Sequence, residues 1–160
     1  TTALAFVDTA GLGFEETTSD EGSKANPWEA EVVAAYTHRL CELGVAEADI
    51  GVITPYSAQV RVLKEQFEDM GHLDVEVSTV DGFQGREKEA IVLSMVRCNP
   101  DGDVGFLTDE RRMIVAITRA RRHVSVVGDS DTLRKSPFLQ RLCDYFEAEG
   151  VVHCASMYQG

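Results

Sequence analysis

Apolar residues in this chain follow two rhythms. Short continuous runs occupy residues 4–7, 50–54, 75–79, 90–96 and 124–128, each bounded by polar or turn-forming residues. The run at 90–96 is apolar almost throughout, the pattern of a strand covered on both faces. Between these runs, apolar residues recur three and four apart. Ala30, Val33, Ala34, Thr37, Leu40 and Cys41 predict a helix that Asn26 caps, Pro27 opens and Gly44 ends. Val60, Leu63, Phe67 and Met70 predict a second, capped by Ser57 and closed by Gly71. A third is predicted over 109–121, with Met113, Ile114, Ala116, Ile117 and Ala120 as its apolar face, and a last one from Ser136-Pro137 to Gly150. Residues 9–25, rich in Gly, Thr, Ser and acid, are expected to form a mobile loop.

Strands alternating with helices predict an α/β domain. Its expected form is three layers, a mostly parallel sheet of about five or more strands with helices on both faces. Ligands of such sheets sit at the C-terminal strand edge. Asp8-Thr9, Thr54-Pro55-Tyr56, Thr79-Val80-Asp81 and Gly128-Asp129 all fall there.

Composition narrows this picture. A chain of 160 residues suits one domain with a proper core. No apolar run approaches the roughly 20 residues of a membrane span, and no membrane partner is expected. The chain opens on a strand without Met and reads as a domain of something longer. Four cysteines without regular spacing read as free thiols of a reducing compartment. His38 with Cys41, and His153 with Cys154, are too few for a metal site, so no metal ligand is expected. The net charge of −12 is uneven: residues 1–81 hold 16 acids and 4 bases, whereas residues 82–123 hold 8 bases and 6 acids. Five arginines fall between Arg111 and Arg122.

Three segments carry chemistry. Residues 79–89 (TVDGFQGREKE) set a hydroxyl, a carboxylate, an amide, two glycines and two cations between two strands. Gly82 and Gly85 permit close backbone approach to a ligand, and Lys88 offers phosphate charge; a glycine-containing surface turn explains the segment equally well. Arg119 follows an apolar helical stripe. An arginine held there can stabilise charge on a transferring phosphoryl group, or simply sit as a cation at a helix end. Thr54, Tyr56, Ser57 and Gln59 cluster where a strand gives way to a helix, and helix N-termini attract phosphate. No GxxxxGK[ST] loop and no GxGxxG occur, so an independent nucleotide enzyme is not expected.

Taken in order, residues 23–30, 53–56, 80–88, 105–107 and 111–121 resemble the second RecA-like domain of superfamily 1 helicases of the up-frameshift-like branch. The resemblance covers about residues 7–146 and implies a RecA-like, P-loop NTPase fold without its own Walker A loop, with all of 1–160 as that domain. It implies part of an ATP-dependent 5′-to-3′ DNA or RNA helicase, nuclear or cytoplasmic. ATP and Mg2+ would be bound mainly by the preceding RecA-like domain. At matching positions it implies Arg119 as an arginine finger to the γ-phosphate, Gly85 and Glu87 lining the ATP cleft, and Gln84 as the coupling residue. Thr54, Tyr56, Thr79 and Asp81 would face single-stranded DNA or RNA. Asn26 and Glu29 resemble a further family motif. Ile114 departs from the family's usual Asn and is expected to extend the helix's core face. A non-catalytic helicase-like scaffold is the other reading, which a missing upstream Walker A loop would favour.

Overall fold

A computed structural model describes residues 2–84 and 87–159. Six parallel strands form one sheet in the order β5-β4-β6-β7-β1-β8. They are β1 (Ala3–Asp8), β4 (Ile50–Ile53), β5 (Glu76–Ser78), β6 (Lys88–Ser94), β7 (Ala120–Gly128) and β8 (Val151–Cys154). The expected three-layer α/β architecture is borne out. Strand β8 extends it at one edge, where Val151 and Val152 remain exposed and give no buried-strand signal. A two-stranded hairpin, β2 (Thr17–Thr18) with β3 (Lys24–Ala25), stands apart within residues 9–25, and Phe14 of that segment is buried.

Alternation along the strands divides the core in two. Val52, Ala90, Val92 and Val127 point to the face covered by α1 (Pro27–Glu42) and α2 (Ser57–Met70). Ile53, Ile91, Leu93, Val124 and Val126 point to the other, covered by α3 (Glu110–Ile117), the short α4 (Ser130–Leu133) and α5 (Pro137–Glu149). Asn26 caps α1 as expected, its Oδ1 accepting from the Glu29 amide. Ser57 is not the cap of α2; Tyr56 holds that position, and the hydroxyl that accepts from the Ala58 amide is borrowed from Ser23.

The third helix is shorter than the apolar spacing suggests. It ends at Ile117, and Ala120, Arg121 and Arg122 belong to β7. Only Met113 and Ala116 are buried within it, while Ile114 is 52% exposed, so Ile114 does not extend the core face. Two buried positions three apart suffice to dock a helix of eight residues. Ile117 and Ala120 pack against the second core at its margin. Among the described residues no helix is long and apolar enough to cross a membrane.

Among the described residues, the connection from β5 to β6 contains no helix. Its stretch from 79 to 84 lies over β4, and Val80 and Phe83 pack into the second core. It lies so close that a Cβ on Gly51 would meet the Phe83 ring at 2.8 Å and the Ile91 Cδ1 at 3.0 Å. Gly51→Val is therefore expected to cost about 1–3 kcal/mol through overpacking, read as a lower urea midpoint at unchanged m-value. An unaltered midpoint would mean that Phe83 is not seated on β4.

Candidate functional site

At the C-terminal edge of β4, β5 and β6, a groove of about 340 Å³ opens between α2, α3 and the loops that precede them. Its floor is built around one buried cation. Arg97, three residues beyond the end of β6, is nearly inaccessible. Its Nε donates to Glu16 Oε1 at 2.8 Å, Nη1 donates to the Tyr56 hydroxyl at 3.1 Å, and Nη2 lies 3.3 Å from Asp103. Burial works against the charge, but the bonds to Glu16 and Tyr56 outweigh it and hold the guanidinium above its ordinary pKa. Glu16 shows the mirror case: burial pushes its pKa up, yet bonds from Arg97, Asn99 and the Cys98 amide hold it below the usual value. The Tyr56 ring is thereby fixed from below. Phe106, 62% exposed, tilts against it at 5.3 Å and covers it from the groove side. Gly105 lets this loop close, because a Cβ there would lie 2.4 Å from Arg97 Nη1 and 2.8 Å from the Tyr56 hydroxyl.

What aims Arg97 inward is a strained turn. Val96 has φ 72°, a left-handed conformation that a β-branched residue resists. The Arg97 amide bonds back to the Met95 carbonyl at 2.8 Å, closing a three-residue turn. Buried side chains from α1 hold both Val96 backbone groups. The Val96 amide donates to Glu29 Oε2 at 2.8 Å, and its carbonyl accepts from Asn26 Nδ2 at 3.0 Å. Ser94 Oγ also donates to Glu29 Oε2, and Gln59 ties Ser94 to the Asn26 backbone.

Of the residues expected to face a nucleic acid, Tyr56, Thr79 and Asp81 line this groove. Thr79 Oγ1 accepts from the Gly82 amide at 3.1 Å, and Asp81 pairs with Arg112 at 3.0 Å. Thr54 is fully buried, with no hydrogen-bond partner for its hydroxyl among the described residues, so it does not reach the groove surface. Phe106, Arg112 and Arg97 complete the site but carried no assignment from sequence. Arg97 had one readable signal, a cation directly after an apolar strand.

The residues expected near a nucleotide gather at the opposite strand edge, where β6 and β7 begin. Arg119 lies in the turn between α3 and β7; its Nε donates to the Val115 carbonyl at 3.2 Å, and its own carbonyl accepts from the Lys88 amide at 2.9 Å. Glu87 is exposed and lies 3.7 Å from Arg121. The Gln84 amide donates to Oε2 of Glu76, the first residue of β5, at 2.8 Å, and Lys88 lies 3.4 Å from the same carboxylate. Gly85 lies outside the described residues.

Comparison with known proteins shows the chain's family. The AAA domain family model matches residues 1–131. The chain belongs to that family, in its up-frameshift-like helicase branch. DNA-binding protein SMUBP-2 of Rattus norvegicus is 46% identical over 156 residues, 97% of this chain and 16% of the relative. DNA polymerase alpha-associated DNA helicase A of Schizosaccharomyces pombe is 42% identical over 154 residues, 92% of this chain and 23% of its own length. The putative regulator of nonsense transcripts 1 of Takifugu rubripes is 40% identical over 145 residues, 88% and 13% respectively. The chain thus spans less than a quarter of each of these relatives.

The carboxyl beneath the groove gives this domain a pH signature. Burial raises the Glu29 pKa from 4.5 to about 8, more than the bonds from Ser94 and Val96 lower it. The folded state therefore holds a proton that the unfolded chain has already released. The stability that this provides is complete below about pH 4.5 and is lost progressively as pH rises toward 8. Urea midpoints measured at pH 5, 7 and 9 are expected to fall in the wild type and to flatten in Glu29→Gln; equal slopes would assign the pH dependence to other groups.

Proposed function

We propose that this chain is the second motor domain of an ATP-dependent helicase that moves 5′ to 3′ on DNA or RNA. The groove at the C-terminal strand edge grips the strand. Tyr56, braced by Arg97, and Thr79 form its rigid wall, and contacts of this kind read backbone rather than sequence. Arg119, at the other edge, completes an ATP site whose larger share, including Mg2+, belongs to the preceding RecA-like domain.

The observation that carries this reading is the bond from the Lys88 amide to the Arg119 carbonyl. It joins the two elements that run from the groove. One is the segment that leaves β5 at Thr79, passes Gln84 and rejoins the sheet at Lys88. The other is α3, which contributes Arg112 and Met113 to the groove and delivers Arg119 one residue after its C-cap, Thr118. Movement at either edge is thereby felt at the other. The residues at the second edge fit a partial phosphate contact: Arg119 is half-buried, anchored through its backbone and flanked by the cation Arg121. Ile114 and Val115, exposed on the same helix, suit a face closed by a neighbouring domain. Bound ATP supplies the phosphoanhydride whose hydrolysis drives the cycle, and Arg119 would offset the negative charge that grows on its terminal phosphate.

In the full-length protein, Arg119→Ala should lower the ATPase kcat by about 10³-fold or more while nucleotide binding persists. Steady-state turnover with and without single-stranded DNA and RNA, beside a nucleotide-binding titration, measures both. Normal turnover in the variant would reduce Arg119 to a helix-end charge. Absence of any strand-stimulated ATPase in the wild type would leave the chain as a non-catalytic scaffold.

A further inference from the structure

The groove's charge is at odds with an anionic strand. The described residues that line it include two carboxylates, Glu21 and Asp81, and a single cation, Arg112. Glu21 lies 3.8 Å from Arg61, outside the lining. Arg112 points its Nη2 at Asp81 Oδ2, 3.0 Å away, and both side chains are solvent-exposed. Its other acidic neighbour, Asp109, lies 3.5 Å from Nε and already serves α3 as its N-cap, accepting from the Arg112 amide. Asp81 has no comparable structural duty. It stands in the coil after β5, and Arg112 is its one ionic partner among the described residues.

A carboxylate accepts hydrogen bonds and donates none, and so do the phosphate oxygens of a strand. Asp81 therefore cannot bond to the phosphates of the strand that the groove grips. It does occupy the guanidinium fork that a phosphate would use. We infer that Arg112 is a phosphate-gripping residue of the groove, and that Asp81 is its built-in competitor, a carboxylate that the strand must displace in order to bind. The inference rests on the strand-binding reading of the groove and changes Asp81 from a contact into a gate. An exposed ion pair is weak enough for such an exchange. It returns to Arg112 whenever the phosphate leaves, which keeps the grip reversible. Because Asp81 sits on the coil that leads to Gln84 and Lys88, and Arg112 on the helix that leads to Arg119, the exchange is sensed by both connectors.

A mutant cycle on the full-length protein tests this. Affinity for a fluorescent single-stranded oligonucleotide, in DNA and RNA versions at fixed salt, is measured for wild type, Asp81→Asn, Arg112→Gln and the double variant, with circular dichroism confirming the fold of each. Asp81→Asn should tighten binding by about two- to five-fold, the scale of one exposed ion pair. Arg112→Gln should weaken it, and in that background Asp81→Asn should have no effect. Weaker binding by Asp81→Asn would make Asp81 a direct contact and overturn the gate. So would no change in the wild-type background, or equal tightening in both backgrounds, which is the result of removing a distant charge. If the wild type binds neither oligonucleotide, the strand-binding reading itself fails.

Discussion

A carboxyl on the first turn of α1 holds the end of the central strand in a shape that valine resists. The Glu29 bond to the Val96 amide, with the Asn26 bond to the Val96 carbonyl, fixes the turn after β6. A non-glycine residue at positive φ persists only when its surroundings over-determine it. Here they do: both backbone polar groups of Val96 are held, and Gln59 and Ser94 satisfy the groups that hold them. Once Val96 is set, Arg97 has one direction to take. Glu16, Asp103, Tyr56 and Gly105 are arranged around it. The hairpin segment, the start of α2 and the loop before α3 are therefore anchored on a single guanidinium. Removing one partner from such a buried network leaves the others unpaired, which costs far more than the bond itself.

The same network separates a buried groove wall from an exposed rim. Tyr56 and Arg97 are buried and mutually bonded, whereas Asp81, Arg112 and Phe106 are exposed. The division falls between the N-terminus of α2, packed onto the sheet, and the loops that carry Asp81 and Phe106.

The fold class was legible because each strand buried on both faces advertises itself as an apolar run, and because Asn26-Pro27 and Ser136-Pro137 punctuate their helices. Strand β8 was not legible, since its edge position leaves Val151 and Val152 exposed. The end of α3 was misread because Ile117 and Ala120 continue a helical spacing across a chain that has already turned into β7. Short apolar runs cannot distinguish a helix's last turn from a strand's first residues. Within the site, Tyr56, Thr79 and Asp81 were legible as polar residues at strand ends. Arg97 and Glu29 were not, because their roles depend on partners 41 and 67 positions away, which no local pattern reports.

Charge is the point at which sequence and structure disagree most usefully. A chain at −12 with an acidic lining to its groove would repel a polyanion if the charges acted as a sum. They act locally instead. Glu16 is neutralised by the buried Arg97, and its carboxylate organises the groove wall. Arg112 carries the groove's positive charge but meets Asp81 first. On the proposed reading, a strongly basic groove would hold a strand tightly at the expense of its release. An acidic surface whose groove lining, among the described residues, carries one arginine in an exposed ion pair is a charge pattern that suits the proposed grip and release.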